Sequence, residues 1–329
     1  MNPFVDFKNI RKKDAEEITS LLRRGAGDTP ERRMLQPVMD NFLKWLQTTL
    51  RSIQERLIGK RGEDGDLFPH VDIDYDPKQD RDRFLKDIWC AQSDNWALIE
   101  TVQAYYLTMM TIIEKIQLPD DKHLMLASLG SGPGLYETFL AKTFGSTGVG
   151  GVISCIDFAS EMTELHKFVL SLEKPRLCNI EPKTGDMSDI PLPSKSQDAV
   201  LCNNSLQWCT KWQKAISEMA RILDPDRKPW AYIIVHLHKQ PMHVRTHEGE
   251  CPVDMQPVFV PEIMDELEKN MFSVISSRQL HGGKNTGQAG GGFERVLLKA
   301  EYTPWGLRHR WRKAQRTMSN PMLLRMNKK

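Results

Sequence analysis

The sequence predicts an α/β protein: a mostly parallel sheet that ends in an antiparallel hairpin strand and is preceded by an N-terminal helical cap. Three observations predict it. From His123 onward, short apolar runs alternate with helix-length amphipathic stretches, as strands joined by crossover helices do. Near the end, "FSVISSRQL" and "FERVLLKAEY" flank the Gly-rich "HGGKNTGQAGGG", which reads as a hairpin. Upstream of His123 the apolar residues follow helical spacing only. The chain divides accordingly into a polar lead (1–32), a helical cap region (33–118), an α/β domain (119–304) and a basic tail (305–329).

The elements follow in order. Leu35, Val38, Met39, Phe42, Trp45, Leu46, Leu50, Ile53 and Leu57 recur at steps of three and four, which predicts an amphipathic helix stopped at Gly59. A second helical region spans Arg83 to Gln117, with "SDN" (Ser93 to Asn95) as an internal break and cap and Pro119 as its end. Strands are expected at 124–129, 151–156, 176–180, 198–202 and 230–237. Helices are expected at 135–144, 160–172, 210–223 and 261–270.

Bulk properties narrow the function classes. The 329 residues are 27% charged and 40% hydrophobic, an ordinary globular composition. Six cysteines show neither CxxC pairs nor His partners at metal-ligand spacing, so a reduced chain without structural metal is expected. The charged N-terminus lacks the apolar core of a signal peptide, and no apolar run reaches membrane-spanning length; a cytoplasmic location is expected. "VDIDYDP" places Asp72, Asp74 and Asp76 at alternate positions, as at the start of an EF-hand loop. Pro77 and Arg83 stand where that loop needs Gly and Glu, which argues against calcium.

The chemistry concentrates in "LASLGSGPG" and the strand tips after it. Glycines 130, 132 and 134 open a turn through which a ligand could approach the backbone, and the next helix offers free N–H groups. No Gly-Lys-Ser/Thr follows, so a nucleotide P-loop is excluded. Leu135 stands where a dinucleotide fingerprint needs its third glycine. Asp157 closes the second strand, where an acid can hold ribose hydroxyls or cap the following helix; Ser160 could cap instead. Asp186 follows the third strand, and Asn203 the fourth. His236 and His238 end the fifth strand and are the candidate general bases, with plain packing or surface exposure as the alternative. Tyr105 and Tyr106, upstream, read as amphipathic packing that could also enter the pocket. Trp208 reads as core or as a pocket wall.

Taken together, "LASLGSGPG", the strand ending in Asp157, "GDMSDIPLPSKSQDAV" and "NSLQW" resemble the class I S-adenosylmethionine-dependent methyltransferases. The resemblance extends to the branch holding the ubiquinone/menaquinone C-methyltransferases and the malonyl-acyl-carrier-protein methyltransferase of biotin synthesis. It covers about residues 120–240, weakens after them and is absent from the first hundred residues. It implies a Rossmann-like seven-stranded sheet, S-adenosylmethionine as cofactor and a small-molecule or lipid-like acceptor. It also implies residue roles: Gly130, Ser131, Gly132 and Gly134 beside the methionine part, Asp157 at the ribose, Phe158 at the adenine, Asp186 and Met187 at the adenine edge, and Asn203 near the sulfonium. One position departs. Ser128 stands where the family usually carries an acid that holds the cofactor's amino group, so weaker affinity, lost activity or compensation by an acid such as Glu137 is expected.

The tail has eight Lys/Arg and no Asp/Glu from Trp305 onward. Leu307, Trp311, Ala314 and Met318 follow helical spacing, with Arg308, Arg312, Lys313 and Arg316 largely off that face. A basic amphipathic helix suits an anionic membrane surface or RNA; a terminal helix docked by its apolar face is the alternative. This tail makes RNA or protein methylation a competing function, and Ser128 with the lack of an obvious catalytic base makes a non-catalytic interaction protein on the same fold another; nicotinamide-dependent oxidoreduction is disfavoured by the glycine spacing and by Asp186.

Overall fold

A computed structural model describes residues 30–61, 80–99, 105, 108–109, 112–113, 115–119, 121–173, 178–226, 232–238, 242–246, 249–253, 260–281 and 294–302. The "VDIDYDP" segment, Tyr106, the Gly-rich loop and the basic tail lie outside them.

Helix α1 spans Pro30–Arg61. Met39, Phe42, Leu46, Leu50, Ile53 and Leu57 are all buried, so the three-and-four spacing is its inward stripe. Gly59 does not stop it. One glycine costs about 1 kcal/mol in a helix interior, too little to end a helix this long. Helix α2 spans Arg81–Ile99 and runs unbroken through Ser93–Asn95, contrary to the expected break. Phe84, Leu85, Ile88, Trp89 and Ala97 bury one continuous face, and Ser93 is buried with them. Beyond it, Tyr105, Thr108, Met109, Ile112 and Ile113 are also helical.

The sheet is built from β1 (His123–Leu129), β2 (Gly150–Asp157), β3 (Cys178–Thr184), β4 (Ala199–Asn203), β5 (Tyr232–His238), β8 (Phe272–His281) and β9 (Glu294–Tyr302). Its order is β3-β2-β1-β4-β5-β9-β8. The first five strands pair in parallel, and β9 runs antiparallel to both β5 and β8, giving the expected Rossmann-like arrangement. The crossovers are α3 (Leu135–Ser146), α4 (Ser160–Ser171), α5 (Trp212–Ile222) and α6 (Val260–Lys269). Strand β3 starts two residues later and ends four residues later than the apolar run suggested. It is an edge strand, half open to solvent, so its pairing with β2 continues through the polar "EPKT". A separate two-stranded ribbon, β6 (Met242–Thr246) with β7 (Gly249–Val253), was not anticipated.

One core packs α1, α3 and α4 on one face of the sheet, through residues such as Phe42, Leu46, Phe139 and Leu165. A second packs α5 and α6 on the other, through Ile216, Met219, Ile263 and Leu267. A third, smaller cluster is the one that positions the site. Phe84, Leu85, Ile88 and Trp89 of α2 meet Ala159 and Met162 at the start of α4, and Trp208 after β4. Helix α2 therefore lies across the C-terminal ends of the strands. Strand order reverses there between β1 and β4, which is where open α/β sheets bind ligands.

Candidate cofactor crevice

The turn after β1 is built by its glycines. Gly130, Gly132 and Gly134 have φ of +63°, +55° and +67°, a region that other residues rarely adopt. A Cβ on Gly130 would fall 2.3 Å from Ser205 Cβ, and one on Gly134 would fall 2.0 Å from His166 Nε2. A Cβ on Gly132 would meet nothing within 4 Å. The outer two glycines thus allow close packing, and the middle one presents open backbone to the crevice. Ser205 Oγ donates to Leu129 O at 2.7 Å, tying the loop after β4 to the end of β1.

Asp157 organises the opposite side. Its Oδ2 accepts the Gly132 amide at 2.8 Å and its Oδ1 accepts the Ala159 amide at 3.0 Å. Burial pushes its carboxyl up to about 6, against the pull of those two N–H groups. Ser160 does not cap α4; its hydroxyl donates to Glu161 at 2.8 Å, and the helix begins without a side-chain cap.

The remaining sequence candidates converge on the same crevice. Ser131, Phe158, Asp186, Met187 and Asn203 line it with Gly130, Gly132 and Asp157. Asp186 Oδ1 accepts the Ser188 amide at 2.7 Å, which fixes the turn after β3. Gly134 lies beneath, packed on His166. Ser128 is also away from the crevice surface: it is buried in β1, and its hydroxyl donates to Glu137 Oε1 at 2.6 Å. Glu137, in the first turn of α3, does line the crevice. Burial pushes its carboxyl up to about 7, although the Ser128 hydroxyl pulls the other way. His236 pairs with Asn203 across β4 and β5, so its backbone reaches the crevice end of the sheet. The side chains of His236 and His238 lie outside the described residues.

The upper wall is aromatic and comes mostly from residues that sequence reasoning did not single out. Trp89 packs edge-on against Trp96, with ring centroids 4.7 Å apart, and against Trp208 at 5.3 Å. Trp208 is therefore both core and wall. Tyr105 donates from its hydroxyl to Ala97 O at 3.1 Å and packs on Tyr136 at 5.3 Å. At the rim, Asp82 of α2 accepts from Thr210 and, at 2.9 Å, from Lys211. Burial raises the Asp82 carboxyl, but these two donors outweigh it and hold it below the usual range. The one available signal was Leu85, Trp89 and Trp96 recurring on one face of α2.

The crevice encloses about 1120 Å³, counting its open mouth. Among the described residues no group of three or more His, Cys, Asp or Glu could hold a metal ion. Among the described residues, Cys90, Cys155, Cys178, Cys202 and Cys209 form no disulfide.

Residues 127–228 match the profile of a protein family described as a methyltransferase domain. The match identifies this region as a methyltransferase domain. The match begins in β1 and ends after α5, so it holds the glycine turn, Asp157, Asp186 and Asn203. No curated protein matches the chain. Solved structures resemble it at the level of the fold. A SAM-dependent methyltransferase from Aquifex aeolicus is 20% identical, with 59% of this chain and 89% of that one covered at a TM-score of 0.42. One from Methanosarcina mazei is 17% identical, with 58% and 96% covered at 0.44. The YcgJ protein of Bacillus subtilis is 12% identical, with 61% and 100% covered at 0.47. The domain's residues suit the cofactor on their own chemistry: an open glycine backbone, and a buried carboxylate oxygen of Glu137 that has no hydrogen-bond partner.

Proposed function

We propose that the chain methylates a small-molecule or lipid-like acceptor held beneath the aromatic wall. The observation that carries this reading is the placement of α2, whose Trp89 and Trp96 close an apolar chamber with Trp208 directly beside the glycine turn and Asp157. Such walls suit apolar or ring-bearing molecules. The likeness to the quinone and malonyl-acyl-carrier-protein branch supports the same acceptor class.

In this reading Gly130, Ser131 and Gly132 present backbone to the methionine part, with Gly134 allowing the turn. Asp157 receives the ribose hydroxyls; its two oxygens keep lone pairs free beyond the bonds from Gly132 and Ala159. Phe158 packs beside the adenine, Asp186 and the Met187 backbone take its edge, and Asn203 lines the sulfonium side. When bound, the cofactor supplies a methyl group activated by a sulfonium leaving group. The chain's own contribution is alignment and exclusion of water by the aromatic wall. Where the acceptor atom carries a proton, His236 or His238 takes it.

Two measurements test the reading. Calorimetric titration with S-adenosylmethionine, S-adenosylhomocysteine and NAD should give binding for the first two; NAD binding alone would overturn it. Incubation with methyl-labelled cofactor and a cell extract should place label in the small-molecule or lipid fraction. Label confined to RNA or protein would overturn the acceptor class.

A further inference from the structure

Glu137 is a buried acid with one oxygen spoken for and one not. Its exposure is 1%, and Oε1 accepts the Ser128 hydroxyl at 2.6 Å, while Oε2 is sealed from solvent without a hydrogen-bond partner. A buried carboxylate oxygen left in this state is costly, so a native one calls for a partner that arrives from elsewhere. Among the described residues, the groups that act on its carboxyl offer no cation. Asp157 at the tip of β2 is another acid, and Cys155 within β2 is a buried thiol. His166 of α4 meets Thr138 at 3.5 Å, and Lys142 pairs with Glu173 at 2.6 Å toward the far end of α3. Glu137 nonetheless lines the crevice beside Gly130 and Gly132.

We propose that the Ser128–Glu137 pair is an ammonium subsite, in which Glu137 Oε2 receives the cofactor's α-amino group and Ser128 holds the carboxylate in place. This rests on the methyltransferase reading above. Ser128 is then a positioning residue, and the negative charge has moved from the end of β1 to the first turn of α3. The carboxyl, held up to about 7 without a ligand, loses its proton when a cation binds.

The test compares S-adenosylhomocysteine with 5′-methylthioadenosine, which lacks the amino-acid end. In calorimetry on the full chain, Glu137→Gln should weaken S-adenosylhomocysteine by at least about 10-fold, the worth of a charged hydrogen bond. It should leave methylthioadenosine within about twofold. A second measurement needs no variant. In buffers of different ionisation enthalpy at pH 7, S-adenosylhomocysteine should release about half a proton from the unaltered protein, and methylthioadenosine none. Equal weakening of both ligands, no weakening of either, or absence of the proton release would overturn the subsite and leave the methyltransferase reading intact. Failure of the unaltered protein to bind S-adenosylhomocysteine would overturn both.

Discussion

The carboxylate of Asp157 holds the amide of Gly132 at 2.8 Å, so the tip of β2 and the open centre of the turn after β1 are one hydrogen-bonded unit. The acid that faces the ribose in the proposed site also fixes the backbone expected to flank the methionine part. Asp157→Ala therefore affects both. It strips the acceptor from the Gly132 and Ala159 amides and should cost about 2 kcal/mol in urea denaturation. It should also weaken S-adenosylhomocysteine at least about 10-fold. Unchanged affinity would remove Asp157 from the site.

The three glycines should separate by experiment. Gly130→Ala and Gly134→Ala drive a methyl group into Ser205 or His166 at a positive φ, and each should cost roughly 3 kcal/mol of stability. Gly132→Ala meets open space and carries only the backbone strain of about 1 kcal/mol, yet it should lose most cofactor affinity. Equal melting temperatures across the series would contradict this packing.

Glu137 also predicts a pH dependence of folding. Its folded pKa, about 7, lies above the ordinary 4.5, so its contribution to stability is full below pH 4.5 and is lost as pH rises through 7. The stability of the ligand-free protein minus that of Glu137→Gln should fall across this window, by up to about 3 kcal/mol. A difference that is flat with pH, measured by denaturation at pH 4.5, 6 and 8, would mean that the carboxyl is not held in its buried state.

Trp89→Phe keeps most of the buried area of the α2 face and removes one indole from the wall. Acceptor KM should rise several-fold while S-adenosylhomocysteine affinity stays within about twofold. A matched loss of both would make Trp89 part of the cofactor's own binding surface.

Much of the sheet was legible because each parallel strand inside it is a compact apolar run, bounded by helices whose buried faces keep a 3.6-residue period. Edge strand β3 and the β6–β7 ribbon were less so. Polar residues such as Glu181 and Lys183 pair through their backbone as well as apolar ones do, and Pro252 with Glu250 hides a short strand. Within the site, Asp157 and Asn203 were readable because a strand tip in a βαβ unit has a fixed address. Trp89 and Trp96 could be assigned to one helix face but not to a destination, since α2 reaches the strand ends only through tertiary packing on Met162 and Trp208. The Ser128–Glu137 bond joins residues nine apart, which meet only because α3 folds back over β1.

The position of α2 has a last consequence. The surfaces expected to touch the cofactor come from one stretch, residues 130–203, while Leu85, Trp89 and Trp96 come from a helix that precedes it in the chain. In the proposed site, the acceptor side and the cofactor side thus come from different parts of the chain. In the proposed site, substituting the inward face of Arg81–Ile99 would change the acceptor pocket and leave the cofactor surfaces untouched, which makes this helix the place to begin in redirecting acceptor choice.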